Sequence, residues 1–206
     1  MNTSYFNQKV VWITGASSGI GEELVRQLDR AGAQLILSAR NVEKLNEIKS
    51  SLSNATKHMV VPLDLAHAEN VQDLVQQIVQ SYGRIDLLIN NGGISQRATA
   101  HDTSLEVSRK IMEVNFFGNI ALTKAVLPIF RQQQAGQILV ISSIAGKFGF
   151  HLRSTYSASK HALMGYYESL VMEEMSYGLK VTLACPGKIN TPISTNAVTG
   201  EGKVHG

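Results

Sequence analysis

Strand-length apolar runs alternating with helix-length amphipathic stretches, and a glycine-rich turn directly after the first run, predict a doubly wound α/β fold. In it a parallel sheet forms the middle of three α/β/α layers. The strand runs are nearly continuous in apolar residues, the pattern of strands buried on both faces. Ligands in such sheets bind beyond the carboxyl ends of the strands, and the chemistry-bearing motifs of this chain fall at those ends.

In chain order, the run Val10 to Ile13 is followed by a helical pattern from Ile20 to Ala31, then a strand from Gln34 to Ser38 and a helix from Val42 to Leu52. A strand at Met59 to Val61, a helix from Glu69 to Tyr82 and a strand from Ile85 to Ile89 come next. The pattern then predicts one long helix from Ser104 to Arg131, a strand from Gln137 to Ile141, a helix from Thr155 to Tyr177 and a strand from Lys180 to Ala184. The stretch 186–206, rich in Gly, Thr, Asn and Pro, reads as a mobile loop, either a substrate lid or a frayed terminus.

With 206 residues, 44% of them apolar, the chain is long enough for a single domain over 1–206 with a sizeable core. Its longest apolar runs fall far short of the ~20 residues that span a bilayer, and Met1 to Gln8 lacks the apolar core of a signal peptide. The expectation is a cytoplasmic protein with no membrane span. The lone cysteine, Cys185, allows no internal disulfide. A net charge of +3 without a basic run speaks against a nucleic-acid surface, and the histidines, at 58, 67, 101, 151, 161 and 205, have no metal-ligand spacing.

The turn Thr14-Gly-Ala-Ser-Ser-Gly-Ile-Gly21 joins the first strand to the first helix. In this setting Gly15 allows the tight turn, Gly19 lets the backbone approach a pyrophosphate, and Gly21 lets helix and strand pack closely. Ser17, Ser18 and Ile20 complete the phosphate cradle. About 20 residues on, an NAD site carries an acidic residue for the ribose hydroxyls. This chain has Ser38-Ala-Arg40 there, so a forked contact from Arg40 to a 2′-phosphate favours NADP, with NAD as the less favoured cofactor.

Tyr156 and Lys160 stand four apart in a helical segment and so share one face. A lysine beside the phenol favours the phenolate and suits the tyrosine to proton transfer. Such a pair is common on helix surfaces; it gains weight from the motifs around it.

With Thr14-Gly-x-x-x-Gly-x-Gly21, Asn90-Asn-Gly-Gly93, Ser143 and Tyr156-x-x-x-Lys160 in that order, nearly the whole chain resembles the short-chain dehydrogenase/reductase family, whose domains are Rossmann-like. Ser38-Ala-Arg40 and Asn91-Gly-Gly-Ile-Ser-Gln-Arg97 are most similar to the dehydrogenase/reductase member 7 group. The resemblance implies hydride transfer between a nicotinamide and a carbonyl or alcohol. Tyr156 would be the general acid and base, and Lys160 would lower its pKa and hold the ribose. Ser143, with Ser142 as competitor, would bond the substrate oxygen, and Asn115 would steady Lys160 through a water relay. The plain alternatives are a turn cap for Ser143 and a polar kink for Asn115.

It further implies that Asp64 and Leu65 lie at the adenine, Asn91 and Gly92 beside the cofactor, and Pro186, Gly187, Ile189 and Thr191 near the nicotinamide. Gly92, where the family has Ala, is read as added backbone freedom. A homodimer or homotetramer is implied as well. Family members usually run on beyond the Pro-Gly loop, so a chain ending at Gly206 is expected to be C-terminally short and to lack the usual last strand. Ile94, Ser95, Phe148, Phe150, His151 and Ile189 would line a pocket for a small hydrophobic carbonyl or alcohol. Reduction of 3-oxoacyl groups on an acidic carrier, met by Arg97, Arg109 and Arg153, stays open, as does a non-catalytic NADP-binding protein.

Overall fold

β1 (Val10–Thr14), β2 (Gln34–Ser38), β3 (Met59–Val60), β4 (Leu87–Asn90), β5 (Gly136–Ile141) and β6 (Leu179–Ala184) form one parallel sheet in the order β3-β2-β1-β4-β5-β6. The computed structural model describes residues 5–203; His205 and the end of the 186–206 segment lie outside them. After β3 the chain crosses back to the far side of β1. The strand order therefore reverses between β1 and β4, and a crevice opens at their carboxyl ends.

Side chains of successive strand residues point to opposite faces, and two cores result. Val11, Ile13, Leu35 and Leu37 pack with Val25 and Leu28 of α1 (Gly19–Arg30) and Leu45 and Ile48 of α2 (Val42–Ser50). Trp12, Ile36, Leu88 and Ile138 face the other way, onto α3 (Val71–Tyr82), α5 (Gly118–Gln133) and α6 (Ser154–Glu174), through Ile78, Leu122, Val126, Leu163 and Tyr167. Each fully buried aliphatic side chain contributes roughly 1.5–3 kcal/mol to this packing.

The predicted helix from Ser104 to Arg131 runs as α4 (Leu105–Met112) and α5, with a wider π turn at Glu113–Phe117 between them. One expectation is corrected. Burial on both faces holds for β1 and β4, yet along β5 it alternates and β6 is mostly half-buried. Gln137, Leu139, Lys180 and Thr182 line a groove there together with Phe6, Leu87 and Ile138.

A buried lock ties α1 to β2 and the entry to β3. The Leu35 N–H donates to His58 Nδ1 (3.1 Å), so the ring proton sits on Nε2 and is donated to Asp29 Oδ1 (2.8 Å). Asp29 also accepts from the N–H groups of Ser53 (2.8 Å) and Asn54 (3.3 Å). Burial alone would raise the Asp29 pKa, but the His58 and Ser53 bonds outweigh it and hold the carboxyl below its ordinary value. Its contribution to stability is therefore complete above the unfolded-state value, about pH 4, and is lost as pH falls toward the lower folded-state value. Asp29→Asn should cost roughly 1–3 kcal/mol at neutral pH and flatten the acid limb of stability against pH in circular dichroism melts.

Candidate active site

At the crevice, Gly15 (φ +62°) and Gly19 (φ +56°) are left-handed, a conformation that strains residues with a Cβ. Gly21 is needed for space, because a Cβ there would stand 2.2 Å from the Gly15 carbonyl oxygen. Ser18 caps α1 without a side-chain hydrogen bond, so the first-turn N–H groups keep no side-chain acceptor of their own. A bare glycine backbone meeting a free helix N-terminus fits a pyrophosphate. Ser17 and Ile20 are half-buried along this turn. Across from it, Ile189 and Thr191 line a cleft of about 330 Å³ with Gly19, Ile20, Glu23, Leu24 and Asn190.

The end of β4 is stitched to this turn. Asn91 Nδ2 donates to the carbonyls of Thr14 (3.0 Å) and Gly15 (3.1 Å), while the Thr14 hydroxyl accepts from the N–H groups of Asn91 (3.1 Å) and Gly92 (2.9 Å). Gly92 has no left-handed φ, so its added freedom goes unused. A Cβ there would come 2.6 Å from Leu65 Cδ1, the movable tip of a side chain. Asp64 closes a turn by accepting from the Ala66 N–H (3.0 Å). Arg40 is exposed just beyond β2, and Pro186 and Gly187 follow β6 on the same edge of the sheet.

Asn115 sits in the π turn, where the Gly118 N–H reaches back five residues to the Glu113 carbonyl. Its own carbonyl accepts from Asn119 Nδ2 (2.8 Å). The buried side chain clamps Ile94, accepting its N–H (2.8 Å) and donating to its carbonyl (2.9 Å). Nδ2 also donates to Ser159 Oγ (3.0 Å), and that hydroxyl donates to the Tyr156 carbonyl (2.7 Å). Asn115 thus reaches α6 through Ser159 and meets Lys160 across Gly93, whose Cβ, if present, would lie 3.0 Å from Asn115 Oδ1 and 3.7 Å from Lys160 Nζ.

Lys160 is buried, and its Nζ donates to the Ile141 carbonyl (2.9 Å) and lies 5.8 Å from the centre of the Tyr156 ring. Burial drives its pKa down to about 8, with Cys185 opposing. Burial pushes the Tyr156 phenol up, and the Ser143 hydroxyl and the Arg153 guanidinium pull it back. Lys160 and Arg153 thus both stand near the Tyr156 ring, Lys160 Nζ at 5.8 Å and the Arg153 guanidinium at 6.0 Å from its centre. Ser143 also caps the turn at 144–146, accepting from the Ala145 N–H (3.1 Å), as the cap reading expects. Ser142 instead donates to the Lys160 carbonyl (3.2 Å). Beneath them Asn90, Thr123 and Tyr167 hydrogen-bond in one buried cluster that ties β4 to α5 and α6.

Arg153, Ser159 and Gln96 are functional candidates that the motif spacing does not single out. Arg153 donates to Ser95 Oγ and stands 6.0 Å from the centre of the Tyr156 ring. Ser95 is therefore buried on Arg153 and is not open pocket wall, whereas Phe148 and Phe150 stack at 5.0 Å and stay exposed with Ile189. Among the described residues no three His, Cys, Asp or Glu side chains converge as metal ligands would, and no helix is long and apolar enough to cross a membrane.

The family model for short chain dehydrogenases matches residues 9–202. A dehydrogenase/reductase SDR family protein 7-like of Anopheles gambiae is 44% identical over 211 residues, covering 100% of this chain and 67% of the relative. Dehydrogenase/reductase SDR family member 7B of Mus musculus is 43% identical over 208 residues, covering 98% and 64%. The chain spans about two thirds of the length of these curated relatives. A short chain dehydrogenase/reductase from Burkholderia phymatum, solved with NAD, superposes with a TM-score of 0.87 at 27% identity over 92% of this chain and 69% of that one. A variant of actinorhodin polyketide ketoreductase, solved with NADPH, gives 0.86 at 31% identity over 91% and 73%.

Lys160 makes stability rise with pH. Its folded-state pKa of about 8 lies below the value of an unfolded lysine, so the cost of burying the ammonium is full below that pH and fades as pH rises toward about 10.4. Lys160→Met should remove this rise in denaturant titrations of the cofactor-free protein between about pH 7 and 10.

Proposed function

The chain belongs to the short-chain dehydrogenase family, and we propose that it is an NADP-dependent oxidoreductase interconverting a carbonyl compound and an alcohol. What carries the reading is the meeting of Tyr156 and Lys160 of α6 with Ser143 after β5 and Asn115 of the π turn, on the same edge of the sheet as the start of α1. When bound, the nicotinamide supplies the hydride in reduction and accepts it in oxidation. Tyr156 gives its phenolic proton to the carbonyl oxygen as charge develops there, and takes the alcohol proton in the reverse direction. Ser143 donates a hydrogen bond to the same oxygen. Lys160 holds the ribose hydroxyls, and Asn115 steadies Lys160. The turn from Gly15 to Ile20 holds the pyrophosphate, Asp64 and Leu65 the adenine, Asn91 and Gly92 the adjoining ribose, and Pro186, Gly187, Ile189 and Thr191 the nicotinamide side.

The choice of NADP rests on Arg40, since solved relatives carry either cofactor. The exposed Phe148, Phe150 and Ile189 favour an apolar substrate. Likeness to a polyketide ketoreductase, with Arg97 and Arg109 exposed, supports a second reading in which the carbonyl belongs to a carrier-bound acyl group. A homodimer or homotetramer is part of the proposal, and exposed Leu105, Phe117, Met172 and Met175 on the helices leave apolar surface for it. The 186–206 stretch is the proposed mobile substrate loop, and among its described residues Ala197 and Val198 are buried.

NADP(H) at about 100 times its Kd should add ~2.7 kcal/mol of stability, seen as a rise in melting temperature. Arg40→Asp should abolish that rise and spare the response to NAD(H); an unchanged preference would remove Arg40 as the phosphate reader. Tyr156→Phe should lower kcat/KM for carbonyl reduction by about 10²- to 10⁴-fold while NADPH still binds. Equal function in the two proteins would leave the non-catalytic reading.

A further inference from the structure

We propose that Gln96 is a positioning residue that sets the Tyr156 phenol and links it to the docked segment after β6. The inference rests on the acid and base role given to Tyr156 above. Helix α6 starts at Ser154, and its N-cap residue, Arg153, makes no side-chain capping bond. The first-turn N–H groups need acceptors from elsewhere. Gln96, fully buried and some 60 residues earlier in the chain, provides one: its Oε1 accepts from the N–H groups of Thr155 (2.9 Å) and Tyr156 (3.3 Å). Its Nε2 donates to Thr103 Oγ1 (2.6 Å) and Ser154 Oγ (3.4 Å). Because two backbone donors face one end of the amide, that end must be the oxygen, and the orientation is locked.

The backbone at Gln96 holds a different element. The Val198 N–H donates to the Ser95 carbonyl and the Arg97 N–H to the Val198 carbonyl, both at 2.8 Å, an isolated parallel bridge across Gln96. Val198 and Ala197 are buried, and Val198 packs against Val107 and Ile111 of α4. The Ser104 N–H donates to the Gly200 carbonyl (3.1 Å), and a Cβ on Gly200 would stand 2.2 Å from the Asp102 carbonyl oxygen. Gln96 therefore grips the first turn of the Tyr156 helix with its side chain, while its chain neighbours Ser95 and Arg97 hold the far end of the segment carrying Ile189 and Thr191 with their backbone. A shift of about 1 Å at such a turn is enough to cost a reaction 10²-fold.

The test compares Gln96→Met, which keeps the volume and loses the amide, with Gln96→Glu, which keeps an acceptor for both N–H groups. Melting temperature, NADPH affinity, kcat, KM and limited proteolysis in 186–203 are measured on the full chain. Ionisation of Tyr156 is followed by ultraviolet titration against a Tyr156→Phe background. Gln96→Met should lower kcat about 10- to 100-fold with NADPH affinity within about threefold of wild type, and Gln96→Glu should recover most of kcat. In Gln96→Met the Tyr156 titration should move down toward that of a free phenol, and cleavage in 186–203 should quicken. An unmoved Tyr156 titration, or a loss of kcat that Gln96→Glu does not rescue, overturns the proposal. Should Gln96→Met not fold, Thr103→Val frees the other end of the amide and should give the same changes in smaller degree; no change there is equally fatal. If wild type reduces no carbonyl at all, the functional reading falls, and the Tyr156 titration still decides the role of Gln96.

Discussion

Where a parallel strand ends and the chain turns toward a helix, its last carbonyls and the next amides lose their ladder partners, and a buried backbone group cannot stay unpaired. The carboxyl edge of this sheet is built around that constraint. Thr14 and Asn91 satisfy the ends of β1 and β4, Lys160 takes the last carbonyl of β5, and Gln96 receives the first amides of α6. Because each bond runs between separate elements, satisfying the backbone also fixes the crevice that the motifs line.

The same economy shows at the π turn between α4 and α5, where Asn115 is buried with its amide fully bonded. The wider turn at Glu113–Phe117 lets the side chain bond both backbone groups of Ile94 and still reach Ser159. Single π turns inside helices are often found at functional sites, and here the π turn carries the candidate residue Asn115.

Charge in the site follows from burial more than from pairing. Desolvation opposes the charged form of Tyr156 and of Lys160 alike, raising one pKa and lowering the other. The phenol therefore rests protonated near neutral pH, the state a proton donor needs. Arg153, itself held below its ordinary pKa by burial, adds a positive charge that favours phenolate.

The sequence by itself determined the layers, the parallel sheet with a glycine turn after its first strand, and the choice of Tyr156, Lys160, Ser143 and Asn115 as candidate partners. These are legible because periodicity and motif spacing are local properties of the chain. Tertiary structure alone decided which neighbours those residues have. Gln96, Arg153 and Ser159 act through contacts between elements far apart in sequence, and no spacing within one element reveals them. Gly92 illustrates the limit: its sequence context offers added backbone freedom, and only the structure shows a φ that does not use it. The π turn at Asn115 and the half-open faces of β5 and β6 are hidden for the same reason. Helix continuity and burial depend on what packs opposite, which a linear pattern does not specify.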